Sequence, residues 1–206
     1  YAGLVPPSTN QLLGPKFALL DPVYEAYRLT APPLRSRDGI LVYFGGSDPF
    51  NLTAKVVTAL TQANLVGAHV DVVVGPSNPH RSDVCRLVNA NPDFNLHEPR
   101  PHLADLLSRA RLSIGAGGGT TWERLALTVP SLVITSALNQ EATAVELAEC
   151  GLIDLLGTAD SVSESEIVEA VTRRLADDHD GANLQANLVD GLGAQRVAEV
   201  ICPSKA

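Results

Sequence analysis

The sequence predicts an α/β domain built on a Rossmann-like, doubly wound parallel sheet of about six strands. Three observations carry that prediction. Short β-rich runs alternate with helical patterns almost without interruption from residue 40 onward, which is the signature of βα units. Runs such as VDVVV (70–74) and SLVI (131–134) are apolar throughout or nearly so, as strands covered on both faces are. Glycine clusters follow two of the runs directly, at the strand ends where open α/β sheets bind ligands.

Taken in order, residues 1–38 read as an interdomain linker with a short N-terminal element, because Pro6, Pro7, Pro15, Pro22, Pro32 and Pro33 interrupt any long element. Residues 39–206 read as a single Rossmann-like domain. Its strands are predicted at Ile40–Phe44, Val70–Val74, Phe94–His97, Leu112–Ile114, Ser131–Ile134 and Leu152–Leu155. Between them, Asn51–Ala63 sets Leu52, Val56, Ala59, Leu60 and Ala63 at helical spacing. His102–Arg109 does the same with Leu103, Leu106 and Leu107. Ser163–Leu175 opens on a Ser163/Glu166 capping box. The polar stretch Ala176–Ala182 reads as a loop, and Gly191–Ile201 as a last helix packed as an appendage.

Composition narrows the function. A formal charge of −8, with lysine only at positions 16, 55 and 205, argues against a nucleic-acid partner, whose backbone is held by many cations. Cys85, Cys150 and Cys202 show no CxxC spacing, and the histidines His69, His80, His97, His102 and His179 show no ligand spacing, so neither a metal nor a cofactor is expected. A reducing cytoplasm fits that cysteine usage, and no apolar run is long enough for a membrane span. The start at Tyr1 and the lack of methionine point to a fragment, or to a chain whose methionines were replaced.

The strongest motif is Gly115–Arg124, GAGGGTTWER, a strand end passing through glycines into a helix. Glycine lets the backbone approach a phosphate, and free amides at a helix start favour an anion. Gly118, Gly119, Thr120 and Thr121 supply donors, while Glu123 suits the diol of a ribose better than a phosphate. The same residues also read as a tight strand-to-helix turn. Gly45–Pro49, GGSDP, follows the first strand, so in the order 3-2-1-4-5-6 its Gly46, Ser47 and Asp48 face the second loop across the switch point. Its plainer reading is a turn with Asp48 as helix cap. Asn139 and Gln140 follow strand five, where their amides could bind sugar hydroxyls or Asn139 could cap a helix. The histidines read as solvated or core groups rather than catalytic ones.

With these motifs in view, the chain resembles the UDP-2,4-diacetamido-2,4,6-trideoxy-β-L-altropyranose hydrolases of pseudaminic acid biosynthesis. The shared stretches are LLGPKFALLDPVY (12–24), FGGSDPFNLT (44–53), GPSNPH (75–80), GAGGGTTWER (115–124), PSLVI (130–134), NQ (139–140) and VDGLGAQRV (189–197). More remotely, it is similar to the C-terminal domain of the peptidoglycan GlcNAc transferase, a GT-B enzyme. The resemblance implies the C-terminal domain of a two-domain GT-B-type protein that binds a UDP-sugar between its domains. It places Ser47, Gly119 and Thr120 on the diphosphate, Glu123 on the ribose, Asn139 and Gln140 on the sugar, and the Arg100 backbone on the uracil, with Lys16 a weaker phosphate candidate. The family's catalytic histidine lies in the first domain, so none is expected in this chain, and the chain alone is expected to be inactive. The family reaction is hydrolysis with inversion and loss of UDP. A GT-B glycosyltransferase shares every nucleotide contact, and a non-catalytic sugar-nucleotide-binding domain remains a third reading.

Overall fold

The computed structural model describes residues 3–63, 65, 68–177 and 188–202. Six parallel strands form one sheet: β1 (Gly39–Tyr43), β2 (His69–Val73), β3 (Phe94–His97), β4 (Ala110–Gly115), β5 (Ser131–Thr135) and β6 (Asp154–Thr158). Their spatial order is β3-β2-β1-β4-β5-β6, the doubly wound arrangement expected from the sequence.

Alternate residues of β1, β2 and β5 feed two separate cores, which is why these strands read as nearly continuous apolar runs. Ile40, Val42, Val70, Val72, Leu112, Ile114, Leu132 and Ile134 face α2 (Leu52–Gln62), α3 (Arg81–Asn89) and α7 (Glu164–Ala176). Leu41, Val73 and Val133 face α1 (Val23–Thr30), α4 (Ala104–Arg109), α5 (Thr120–Ala126) and α6 (Leu138–Glu149). The capping box of α7 is present in both directions: Ser163 Oγ accepts from the Glu166 amide, and Glu166 Oε2 accepts from the Ser163 amide at 2.8 Å.

The structure corrects one strand boundary and adds two placements that the sequence left open. The sixth strand begins at Asp154 rather than Leu152, because Leu152 and Ile153 are consumed as core residues before the strand starts. A shift of register in the β5–β6 pairing, with Gly157 at φ 140°, then carries the strand on to Thr158. Second, α1 forms inside the proline-rich stretch, since Pro22 stands at its start, where a missing amide costs nothing. Tyr24 of α1 is only 2% exposed and belongs to the second core. Third, the final helix, α8 (Gly193–Ile201), is seated on the N-terminal segment. Gly193 lies against the backbone of Phe17 and Ala18, and Arg196 donates to the Lys16 carbonyl at 2.8 Å while forking onto Asp190. The predicted loop at 176–182 lies outside the described residues from position 178 on. Among the described residues, no helix is long and apolar enough to cross a membrane.

Candidate functional site

β1 and β4 are neighbours, with Tyr43 opposite Gly115, so the loops that follow them leave the sheet side by side at its carboxyl edge. The loop after β2 braces the first of them. Ser77 N donates to Gly46 O at 2.9 Å, and a Cβ at Gly75 would collide with the carbonyl oxygens of Gly45 and Gly46, so only glycine permits this approach. Gly115 is constrained in the same way by Tyr43 O and by the Arg124 guanidinium, whose Nη1 would lie 2.7 Å from an added Cβ.

Two cavities open where these loops meet. The first, about 330 Å³, is walled by Gly45–Pro49, by Ala116, Gly118, Gly119 and Thr120, and by Ser136, Ala137 and Gln140. The second, about 270 Å³, is walled by Gly75, Pro76, Pro99–Leu103 and Glu123. Tyr43 and Thr120 belong to both, so the two are halves of one cleft.

The predicted residues divide by where they stand. Gly46, Ser47, Gly118, Gly119 and Thr120 all line the first cavity. Asp48 lines it too, but its carboxylate is turned away. Oδ1 accepts from the Leu52 amide and Oδ2 from the Thr53 amide, both at 2.9 Å, so the side chain closes the start of α2 rather than offering itself to a ligand. Thr121 is buried, and its hydroxyl accepts from Arg124 Nη2 at 2.9 Å, which places it behind the loop.

Glu123 faces the second cavity, and one of its oxygens is already engaged. Tyr24 Oη donates to Glu123 Oε2 at 2.6 Å and itself accepts from the Leu103 amide at 3.0 Å. Oε1 makes no hydrogen bond among the described residues. Burial raises the Glu123 carboxyl above its ordinary range, and the Tyr24 hydrogen bond and the charges of Arg124 and His102 offset only part of that rise. Burial, reinforced by Glu123, pushes the Tyr24 phenol up as well, so it remains a donor.

Arg100 sits between Pro99 and Pro101. Its guanidinium is tied to Asp105 Oδ2 at 2.6 Å, and the residue lines the second cavity. The following proline holds that backbone extended, and both flanking residues lack an amide of their own. Gln140 reaches the first cavity, and its Oε1 accepts from the Ser136 amide at 3.1 Å, which aims the side chain at the glycine loop. Asn139 is exposed on the first turn of α6, and it makes no side-chain cap there. Lys16 lies elsewhere, its ammonium 5.0 Å from the Phe17 ring centroid.

Four features escaped sequence reasoning. Tyr24 is separated by 99 positions from the carboxylate it holds. Arg124 ends the glycine motif without a role assigned from sequence, and it is 1% exposed. His102 lines the second cavity with a buried Nδ1 that finds no partner among the described residues. His69 and His97 gather instead, away from the cleft, on Asp71, with His97 Nε2 at 2.6 Å from its Oδ1.

Residues 40–199 match the glycosyltransferase family 28 C-terminal domain. The chain belongs to that family. The family 28 domain here is 30% identical over 192 residues to the spore coat polysaccharide biosynthesis protein SpsG of Bacillus subtilis, covering 91% of this chain and 57% of SpsG. Its fold matches MurG of Acinetobacter baumannii with a TM-score of 0.65 at 17% identity, covering 96% of this chain and 57% of that one. It also matches the UDP-GlcNAc 2-epimerase of Neisseria meningitidis, solved with UDP-GlcNAc bound, with a TM-score of 0.66 at 15% identity over 90% of this chain and 54% of that one. The family 28 domain therefore spans little more than half the length of these relatives.

Proposed function

We propose that this chain binds the nucleotide half of a UDP-sugar, and that the protein it serves is a glycosyltransferase of the GT-B type. The observation that carries the reading is the two-part cleft hinged on Thr120. One part is rich in unencumbered glycine amides, and the other holds a carboxylate with one free oxygen beside an extended, proline-framed backbone. Those are the needs of a diphosphate, a ribose diol and a base edge respectively. Arg100 supports a pyrimidine, because one residue's N–H and C=O match the adjacent acceptor and donor of a uracil edge. Gln140 stands beyond the diphosphate wall, where the sugar would follow.

The donors on this chain would stabilise departing UDP as negative charge grows on it. Hydrolysis to the free sugar with UDP release, the reaction implied by the motif resemblance, would use the same contacts. Membership of a glycosyltransferase family supports an acceptor other than water.

Calorimetric titration of the chain with UDP tests the reading, beside a Glu123→Ala variant. Binding by the wild type, weakened on the order of tenfold in the variant by loss of a charge-assisted hydrogen bond, is the expected result. No binding, or equal binding by both, overturns it.

A further inference from the structure

The buried guanidinium of Arg124 has no purpose in the fold alone. It is 1% exposed, and its hydrogen-bond partners are neutral: Nη2 donates to Ala116 O at 2.6 Å and to Thr121 Oγ1 at 2.9 Å. Its Nε finds no partner among the described residues. Burial pushes this group down to about 10, with Glu123 opposing the shift. An apolar side chain of similar volume would fill the space without that desolvation cost.

Its position gives the charge a reason. Ala116 lies on the wall of the first cavity, so the guanidinium stands one residue behind that wall. All peptide bonds of the described chain are trans, and in a trans peptide the C=O and the following N–H point in opposite directions. By drawing the Ala116 carbonyl inward, Arg124 turns the Gly117 N–H away from itself, and the loop runs on into Gly118, Gly119 and Thr120, which line the cavity. The amides of Gly117, Gly118, Gly119 and Thr120 donate to no acceptor among the described residues.

We infer that Arg124 is a positioning residue for a diphosphate: it fixes the Gly115–Gly119 loop with its amides turned to the ligand, and lends that loop a positive charge from behind. The inference rests on the UDP-sugar reading and deepens it.

The test separates the diphosphate's share of affinity from the nucleoside's. UDP and uridine are titrated into the wild type, Arg124→Met and Arg124→Lys, with circular dichroism as a check on folding. In Arg124→Met the preference for UDP over uridine is expected to shrink about tenfold, with uridine affinity held within about twofold. Arg124→Lys, which keeps the charge but loses the fork, is expected to fall between. A parallel loss of UDP and uridine affinity would mark a purely structural residue and overturn the inference. If Arg124→Met does not fold, Arg124→Lys decides: a reduced preference supports the inference, and an unchanged one overturns it. A wild type that binds neither ligand overturns the UDP-sugar reading and this inference together, whereas a wild type that prefers UDP and a variant that prefers it equally overturn only the inference.

Discussion

Replacing Tyr24 by Phe removes a single oxygen from behind the second cavity's wall, where it bridges Glu123 and Leu103. That oxygen donates to Glu123 Oε2 at 2.6 Å and accepts from the Leu103 amide at 3.0 Å, and the ring around it is 2% exposed. The ring stays, so packing is preserved. What is lost is a hydrogen bond to a charged acceptor, at about 1.5–3 kcal/mol, together with the acceptor of a buried amide, at about 1–3 kcal/mol. The two losses share one atom and do not add fully, so we expect a destabilisation of about 3 kcal/mol. At about 2–4 °C per kcal/mol for a domain of this size, the Tm falls by about 6–12 °C. Glu123 also loses the donor that most favours its ionised form, so its carboxyl rises further and its free oxygen is no longer fixed. UDP affinity near neutral pH should then fall on the order of tenfold. Scanning calorimetry with and without UDP reads both effects. A Tm within about 1 °C of wild type would refute the placement of Tyr24 against Glu123, and a lowered Tm with unchanged UDP affinity would refute its role in presenting that carboxylate.

Other changes probe the remaining walls. Gly75→Ala forces a Cβ into the carbonyls of Gly45 and Gly46, so it should cost about 1–3 kcal/mol in denaturant melts and weaken UDP binding by moving the first loop; a neutral variant would contradict that packing. Asp48→Ala deletes the acceptor of two α2 amides and should cost about 1–2 kcal/mol while UDP affinity stays within about twofold, and a much larger loss of affinity would return Asp48 to the ligand. Glu123→Gln removes a carboxyl whose folded pKa is raised by burial. A raised acid destabilises the fold above that pKa and ceases to as pH falls through it, so at pH 7 the variant should melt no lower than wild type while binding UDP more weakly. A lower Tm would mean the bond to Tyr24 outweighs the burial. The Arg196 fork lowers Asp190 from its ordinary 3.8 to about 2, so its contribution is complete above pH 4 or so and is lost as pH falls toward about 2. Amide exchange in α8 should rise across that window in the wild type and start high in Asp190→Asn; protection that is indifferent to pH would refute the pairing.

Strands one to five and the strand order were legible because both faces of the sheet are covered, which leaves uninterrupted apolar runs such as ILVYF and VDVVV to be read. The sixth strand misled for the same reason in reverse: Leu152 and Ile153 are apolar because they anchor the second core, not because they pair with β5. Helix α3 buries only Val84 and Val88, and α6 only Ala144 and Leu147, so neither shows the periodicity that revealed α2. In the site, the glycine loops were legible because their backbone requirements are written in residue type. GGSDP could not be assigned from sequence, since an aspartate before a helix serves as a cap or as a ligand group with the same letters, and only the bonds to Leu52 and Thr53 decide where the carboxylate points. Tyr24 and Arg124 were hidden for a simpler reason. Their roles depend on contacts made across the sheet edge or into the protein, and spacing along the chain carries no trace of either.

The two glycine loops look alike in sequence and differ in electrostatics. At the first, the Asp48 carboxylate closes the start of α2 and neutralises it, leaving Ser47 and the backbone to meet a ligand. At the second, Glu123 stands in the first turn of α5 but is bonded to Tyr24 rather than to the helix start, and the Arg124 guanidinium lies behind loop amides that donate to no acceptor among the described residues. An anion entering the cleft is therefore drawn to one side. The difference matters more here than it would in a basic protein, because a chain of formal charge −8 repels a diphosphate at long range. Such a field is screened within about 8–10 Å at ordinary ionic strength, so it slows encounter but does little at contact. Selection of the ligand must then come from groups within hydrogen-bonding distance, and the cleft concentrates them at the Gly115–Gly119 loop and at Glu123.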